Sequence, residues 1–129
     1  MEEDRILIID NDKVFVGYLK DILYKRGYRV DEALSSEKAI EMLKSKSYNL
    51  LILKYGMTDM ETRKLINELK KIDPDSTIIV IFEKEAALKM HDLSKFGIYE
   101  CLAKPPDVEK MLFLVKKGIE LNRLTVSHR

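Results

Sequence analysis

Short apolar runs alternate along this chain with longer segments in which apolar residues recur every third or fourth position. Ile6 to Ile9, Leu50 to Leu53 and Thr77 to Ile81 are rich in β-branched residues and bounded by charged or turn residues, with weaker runs at Arg29 to Ala33 and Cys101 to Ala103. Runs this short and this apolar predict strands buried on both faces. Between them Phe15, Leu19, Ile22 and Leu23 share one helical face, as do Ala39, Ile40 and Leu43, and then Leu65, Ile66 and Leu69. The helix punctuation agrees. Gly27 follows the first helix, Thr58 with Glu61 reads as a capping box before the third, Pro74 closes its exit, and Asp107 is placed to cap the fifth. Strand and helix thus alternate five times, which predicts a parallel sheet covered by helices on both sides, because parallel neighbours need right-handed crossovers.

The last helix exceeds its own pattern. Met111 through Val115 is an unbroken apolar run that includes Leu112, Phe113 and Leu114, more than one buried stripe requires. Val108, Met111, Leu112, Val115 and Ile119 complete a core face, which leaves Phe113 and Leu114 expected outside it. Leu114, Leu121 and Leu124 follow a partial heptad spacing interrupted by Lys117. From Glu120 the pattern loosens. Residues 1–120 are therefore expected to form the domain, and 121–129 a helix extension or linker.

Composition narrows the function classes. The 129 residues fit one domain with one core, and 23 basic against 22 acidic side chains leave +1, with no Lys/Arg block of the kind that reads a nucleic acid. Cys101 is the single cysteine, so no internal disulfide forms, and no stretch reads as a signal peptide or a membrane span. A reducing cytoplasm is the expected setting. His91 and His128 have no metal-spaced partner and are expected at the surface; no metal and no cofactor is expected.

In an open parallel sheet, chemistry gathers at the carboxyl ends of the strands, beside the point where strand order reverses. Those ends carry Asp10-Asn11-Asp12, Lys54-Tyr55-Gly56, Phe82-Glu83 and Lys104-Pro105. Such a cluster suits a phosphate, a metal or a flavin. Against a flavin, the loop from Asp10 to Lys13 lacks a Ser/Thr/Gly run around a flavin phosphate.

The run Ile6 to Asn11, Gly27-Tyr28 after the first helix, Tyr48 through Lys54, Met57 three positions on, and Lys104-Pro105 resemble response-regulator receiver domains in order and spacing, from about Arg5 to Ile119. The resemblance implies a flavodoxin-like, doubly wound (βα)5 fold with strand order 2-1-3-4-5, the order of chemotaxis receivers. It also implies a cis peptide before Pro105, which aims Lys104 at the pocket.

A receiver takes a phosphoryl group from a histidine kinase onto an aspartate, with a divalent cation offsetting the charge. By register Lys54 stands at that aspartate, and an ammonium forms no acyl phosphate. Asn11 stands at the second acid of the family's acidic pair, so of that pair Asp10 alone remains. Asp12 falls one residue late and is expected to cap the first helix. Phe82 stands where the family places a Ser or Thr, Glu83 where it keeps a small residue, and Cys101 where it has a switching aromatic. Cys101 itself is expected to be an inert, partly buried thiol. Asp59 is expected in the loop, helping to cap the third helix.

These substitutions imply a phosphorylation-independent pseudo-receiver, not an enzyme, acting as a protein-interaction or dimerisation module of a two-component system. Its partners are expected to be a second copy or another protein, with a histidine kinase or an attached output domain as further candidates. The expected contact face joins the fourth helix, fifth strand and fifth helix through Met90, Cys101, Phe113 and Leu114. The competing reading is a receiver still phosphorylated on Asp10 or Asp59. Within the pocket, Lys54 and Lys104 are expected to balance Asp10 and Glu83 as lysine-carboxylate pairs in place of metal and phosphate.

Overall fold

The computed structural model describes residues 3–128, with the side chains of residues 88–92 and 94 outside that description. Its strands are β1 Arg5–Ile9, β2 Arg29–Ala33, β3 Leu50–Lys54, β4 Thr77–Phe82 and β5 Glu100–Ala103. Its α-helices are α1 Lys13–Lys25, α2 Ser36–Ser45, α3 Thr62–Ile72 and α4 Val108–Ser127. The strands pair in parallel in the order β2-β1-β3-β4-β5, the doubly wound, flavodoxin-like arrangement expected from the alternation and the resemblance.

Successive side chains of a strand point to opposite faces, so each buried strand feeds two cores. Ile6, Ile8, Leu50, Ile52, Ile79 and Ile81 pack with α1 and α4, while Leu7, Ile9, Leu51, Leu53, Ile78 and Val80 pack with α2, α3 and the segment after β4. That segment is a departure from the expected fourth helix. Lys84–Phe96 winds as 3₁₀ turns, and its N-cap residue Glu83 makes no side-chain capping bond. The Glu83 carboxylate turns toward Lys104 instead, at 3.8 Å, so the orphan amides of the first turn go without that partner. The helix expected as the fifth is therefore α4.

Caps fix the other helix starts. Asp12 accepts from the Phe15 amide and Asp107 from the Lys110 amide, as the sequence indicates. Two assignments are corrected. The N-cap of α3 is Glu61, whose side chain accepts from the Arg63 amide, rather than Thr58 in a capping box. Gly56, at φ 83, donates its amide to Thr62 Oγ1 at 2.9 Å, and this closes the β3–α3 turn. Asp59 bonds the first turn of α2 rather than capping α3: its oxygens accept from the Ser36 amide at 3.0 and 3.2 Å and from the Glu37 amide at 3.3 Å.

Leu114 requires a third correction. It lies in the core at 9% exposure, beside Met111, Leu112, Val115 and Ile119. The cause is Gly118, one turn further on. A Cβ there would meet Leu50 Cδ1 at 3.0 Å and Thr77 Cγ2 at 3.1 Å, so α4 approaches the sheet as closely as a glycine allows and its flank is buried as well. Phe113 stays outside, 59% exposed.

The helix continues unbroken past Glu120. Asn122 is buried, accepts from Asn49 Nδ2 at 3.1 Å and donates to the Asp75 carbonyl at 2.9 Å. A cavity of about 660 Å³ opens beside it at the amino-terminal ends of the strands, lined among others by Arg5, Tyr48, Asn49 and Arg123. No described helix is long and apolar enough to cross a membrane.

Candidate functional site

The hydrogen-bond ladder runs on past the strand ends and sets the site residues side by side. The Asp10 amide donates to the Ala33 carbonyl at 3.1 Å, the Tyr55 amide to Ile81 at 2.8 Å, and the Lys104 amide to Phe82 at 2.8 Å. Lys54 is in register with Ile81 of β4, and Phe82 with Ala103 of β5. The Lys104–Pro105 peptide is cis, as the resemblance implied.

Lys104 occupies the centre. Its Nζ lies 3.3 Å from Asp10 Oδ2, 3.5 Å from Asp12 Oδ2 and 3.8 Å from Glu83 Oε1. Below it the Phe15 ring presents its face, with the ammonium 4.1 Å from the ring centroid. Only 11% of the Lys104 side chain is exposed, and Asp10 is buried beside it. Asp10 uses its other oxygen, Oδ1, to accept from the Asp12 amide at 2.9 Å. The Phe15 amide holds the Asp12 carboxyl below its usual pKa against the cost of burial, with the charge of Lys104 adding to it.

Lys54 takes a different partner. It donates to the amide oxygen Asn11 Oδ1 at 2.9 Å in an exposed setting. The expected balance of two lysines against Asp10 and Glu83 is corrected accordingly: Lys104 collects Asp10, Glu83 and Asp12, and Lys54 meets an uncharged amide. Sequence reasoning missed Asp12 and Phe15 as pocket members. Asp12 caps α1 and Phe15 lies in its first turn, and the cap and core roles they also fill gave no separate signal.

Phe82 and Cys101 both pack against the cluster shared with α2 and α3. Burial, with Glu100 adding to it, raises the Cys101 thiol above its ordinary pKa, as suits an inert core thiol. Cys101 therefore lies on the α3 side of the sheet and Phe113 on α4, on the other. Leu114 lies in the core rather than on the expected contact face, and Cys101 and Phe113 stand on the two sides of the sheet at its edge strand β5; the side chain of Met90 and that of His91 lie outside the described residues. His128 is exposed at the end of α4.

Asp59, the other carboxylate considered as a phosphoryl acceptor, is committed elsewhere. Against the cost of burial, bonds from the backbone amides of Ser36 and Glu37 hold its carboxyl below the ordinary value.

A five-stranded sheet of order 2-1-3-4-5, with an acid closing β1 and a lysine before a cis proline closing β5, defines a receiver-type α/β domain. The sequence comparison carries this from class to family. The chain belongs to the response regulator receiver domain family, whose model matches residues 6–116, and is thus a receiver domain of two-component signalling. It is 29% identical over 116 residues to the chemotaxis protein CheY of Bacillus subtilis (strain 168), covering 89% of this chain and 97% of that protein. It is 25% identical over 126 residues to the transcriptional regulatory protein ZraR of Klebsiella oxytoca, 98% of this chain but 28% of that longer protein. Among solved structures, a CheY-like receiver domain from Methanospirillum hungatei JF-1 superposes with a TM-score of 0.89 at 22% identity, covering 96% of this chain and 99% of that one.

Proposed function

We propose that this domain is a pseudo-receiver, a phosphorylation-independent interaction or dimerisation module acting in the cytoplasm. The observation that carries the reading is the occupancy of its pocket. Where the resemblance places a metal and a phosphorylated carboxylate, the chain puts Lys104 among Asp10, Asp12 and Glu83, and Lys54 against Asn11. The donor set does not fit the divalent cation of the family. A hard cation needs several anionic oxygens with free lone pairs, and here Asp10 Oδ2 faces an ammonium while Asn11 and Lys54 supply no negative charge. Among the described residues no group of three or more His, Cys, Asp or Glu side chains is arranged to hold a metal ion.

The competing acceptors are poorly placed as nucleophiles. Asp10 is buried with both oxygens engaged, and both oxygens of Asp59 bond the first turn of α2. Phe82 offers no hydroxyl to a phosphoryl oxygen. The test is the intact mass of the protein after incubation with acetyl phosphate and magnesium. An unchanged mass is expected; the addition of one phosphoryl group, mapped to Asp10 or Asp59, would favour a receiver that still takes phosphate.

A further inference from the structure

The outward face of α4 carries a second stripe that its core face does not use. Phe113, Lys117, Glu120, Leu121 and Leu124 lie within about a quarter of a turn of one another around the helix, away from Met111, Val115 and Asn122, which face the sheet. Phe113 and Leu124 are each 59% exposed and Leu121 45%. The Lys117 ammonium lies 5.7 Å from the centroid of the Phe113 ring and 3.4 Å from Glu120 Oε2, so these three side chains are in contact along the helix. Its pattern is symmetric in position and opposite in charge: Phe113 and Leu124 stand equally far from a midpoint between Gly118 and Ile119, and so do Lys117 and Glu120.

We propose that two copies of this chain pair through these stripes, with their α4 helices antiparallel about a two-fold axis at that midpoint. This inference rests on the interaction-module reading and names its partner. A two-fold contact must be self-complementary, each residue meeting its counterpart and the reverse. About this axis Phe113 of one copy meets Leu124 of the other, and Lys117 of one meets Glu120 of the other, each pair occurring twice. Glu109 falls opposite His128 at the ends. A parallel, in-register pairing would instead set Lys117 on Lys117 and Glu120 on Glu120, which like charge disfavours. The sheets lie on the outer sides of the helix pair, because the stripe faces away from the core.

Sedimentation equilibrium on the full chain tests the arrangement. The wild type should dimerise. Lys117→Glu alone and Glu120→Lys alone each set like charges opposite one another twice and should weaken the dimer about tenfold or more. The double variant Lys117→Glu/Glu120→Lys should recover it, a rescue peculiar to the antiparallel register. These side chains are at the surface, so circular dichroism should be unchanged in all three. A monomeric wild type, or a double variant no better than the worse single one, overturns the proposal. A monomer that also takes no phosphoryl group overturns the pairing while leaving the pseudo-receiver reading in place; a dimer that becomes phosphorylated does the reverse.

Discussion

Lys104 and Lys54 bring the same charge to the same end of the sheet, and their surroundings give them different weights. Lys104 is nearly buried against a buried Asp10, so its removal strands a carboxylate away from water. Lys104→Met should destabilise the fold by about 3 kcal/mol. Lys54 makes one exposed bond to a neutral amide, and Lys54→Ala should change stability by less than about 1 kcal/mol. Urea unfolding midpoints of the two variants test the contrast; equal losses would place the pocket's weight elsewhere. A second residue pair adds a pH signature. Tyr48 Oη donates to Asp31 Oδ2 at 2.6 Å, the leading cause that holds the Asp31 carboxyl below its ordinary 3.8. A carboxyl lowered in the folded state contributes stability above its unfolded pKa and loses it as the pH falls through the folded one. Burial first, and that bond second, push Tyr48 above its ordinary 10.0, so its contribution is whole below that value and is lost as the pH rises past the raised one. Tyr48→Phe should cost about 1 kcal/mol at neutral pH, given the partial exposure of Asp31. It should also flatten the acid limb of stability against pH; an unaltered acid limb would mean the bond does not form in solution.

At the scale of elements, α4 contributes on two faces. Leu114→Ala should cost about 3 kcal/mol, as for a buried leucine that leaves a cavity, while Phe113→Ala should stay within about 0.5 kcal/mol. Asn122→Ala removes two bonds from a buried amide and strands the Asn49 donor, so a loss of about 2 kcal/mol is expected, with faster hydrogen exchange in the last turns of α4. An unaffected Asn122 variant would reduce the segment after Glu120 to a loose extension. The strands were legible in the sequence nearly to the residue, because a run such as Ile6 to Ile9 that is apolar on both faces has few other ways to be buried. The flank of α4 was not. Periodicity places Leu114 at the margin of the core stripe, and what brings it inside is a tertiary approach permitted by Gly118, which leaves no mark on the pattern of apolar positions. The reach of Asp59 to α2 depends likewise on a partner far along the chain, the Ser36 amide.

For the whole molecule, the family was legible because motifs at the ends of β1, β3 and β5 converge on one place in this sheet. Asp10, Asn11, Lys54, Glu83 and Lys104 were legible as pocket residues, but neither their pairing nor the part of Asp12 and Phe15 was, since sequence order does not say which of two lysines reaches the buried acid. On the pseudo-receiver reading proposed above, the site is altered at several independent positions: Lys54 at the acceptor, Asn11 at the acidic pair, and Phe82 where a hydroxyl would bond the phosphoryl oxygen. Phosphoryl transfer depends chiefly on positioning and charge stabilisation, so restoring one part without the others gains little. The most direct measurement is the acyl-phosphate yield from acetyl phosphate, with and without magnesium, for the wild type, Lys54→Asp, and Lys54→Asp/Asn11→Asp/Phe82→Thr. No labelling of the wild type, little of the single variant, and magnesium-dependent labelling of the triple variant are expected; a single variant that labels as fast as the triple one would contradict degeneracy at several positions and leave Lys54 alone as what silences the site.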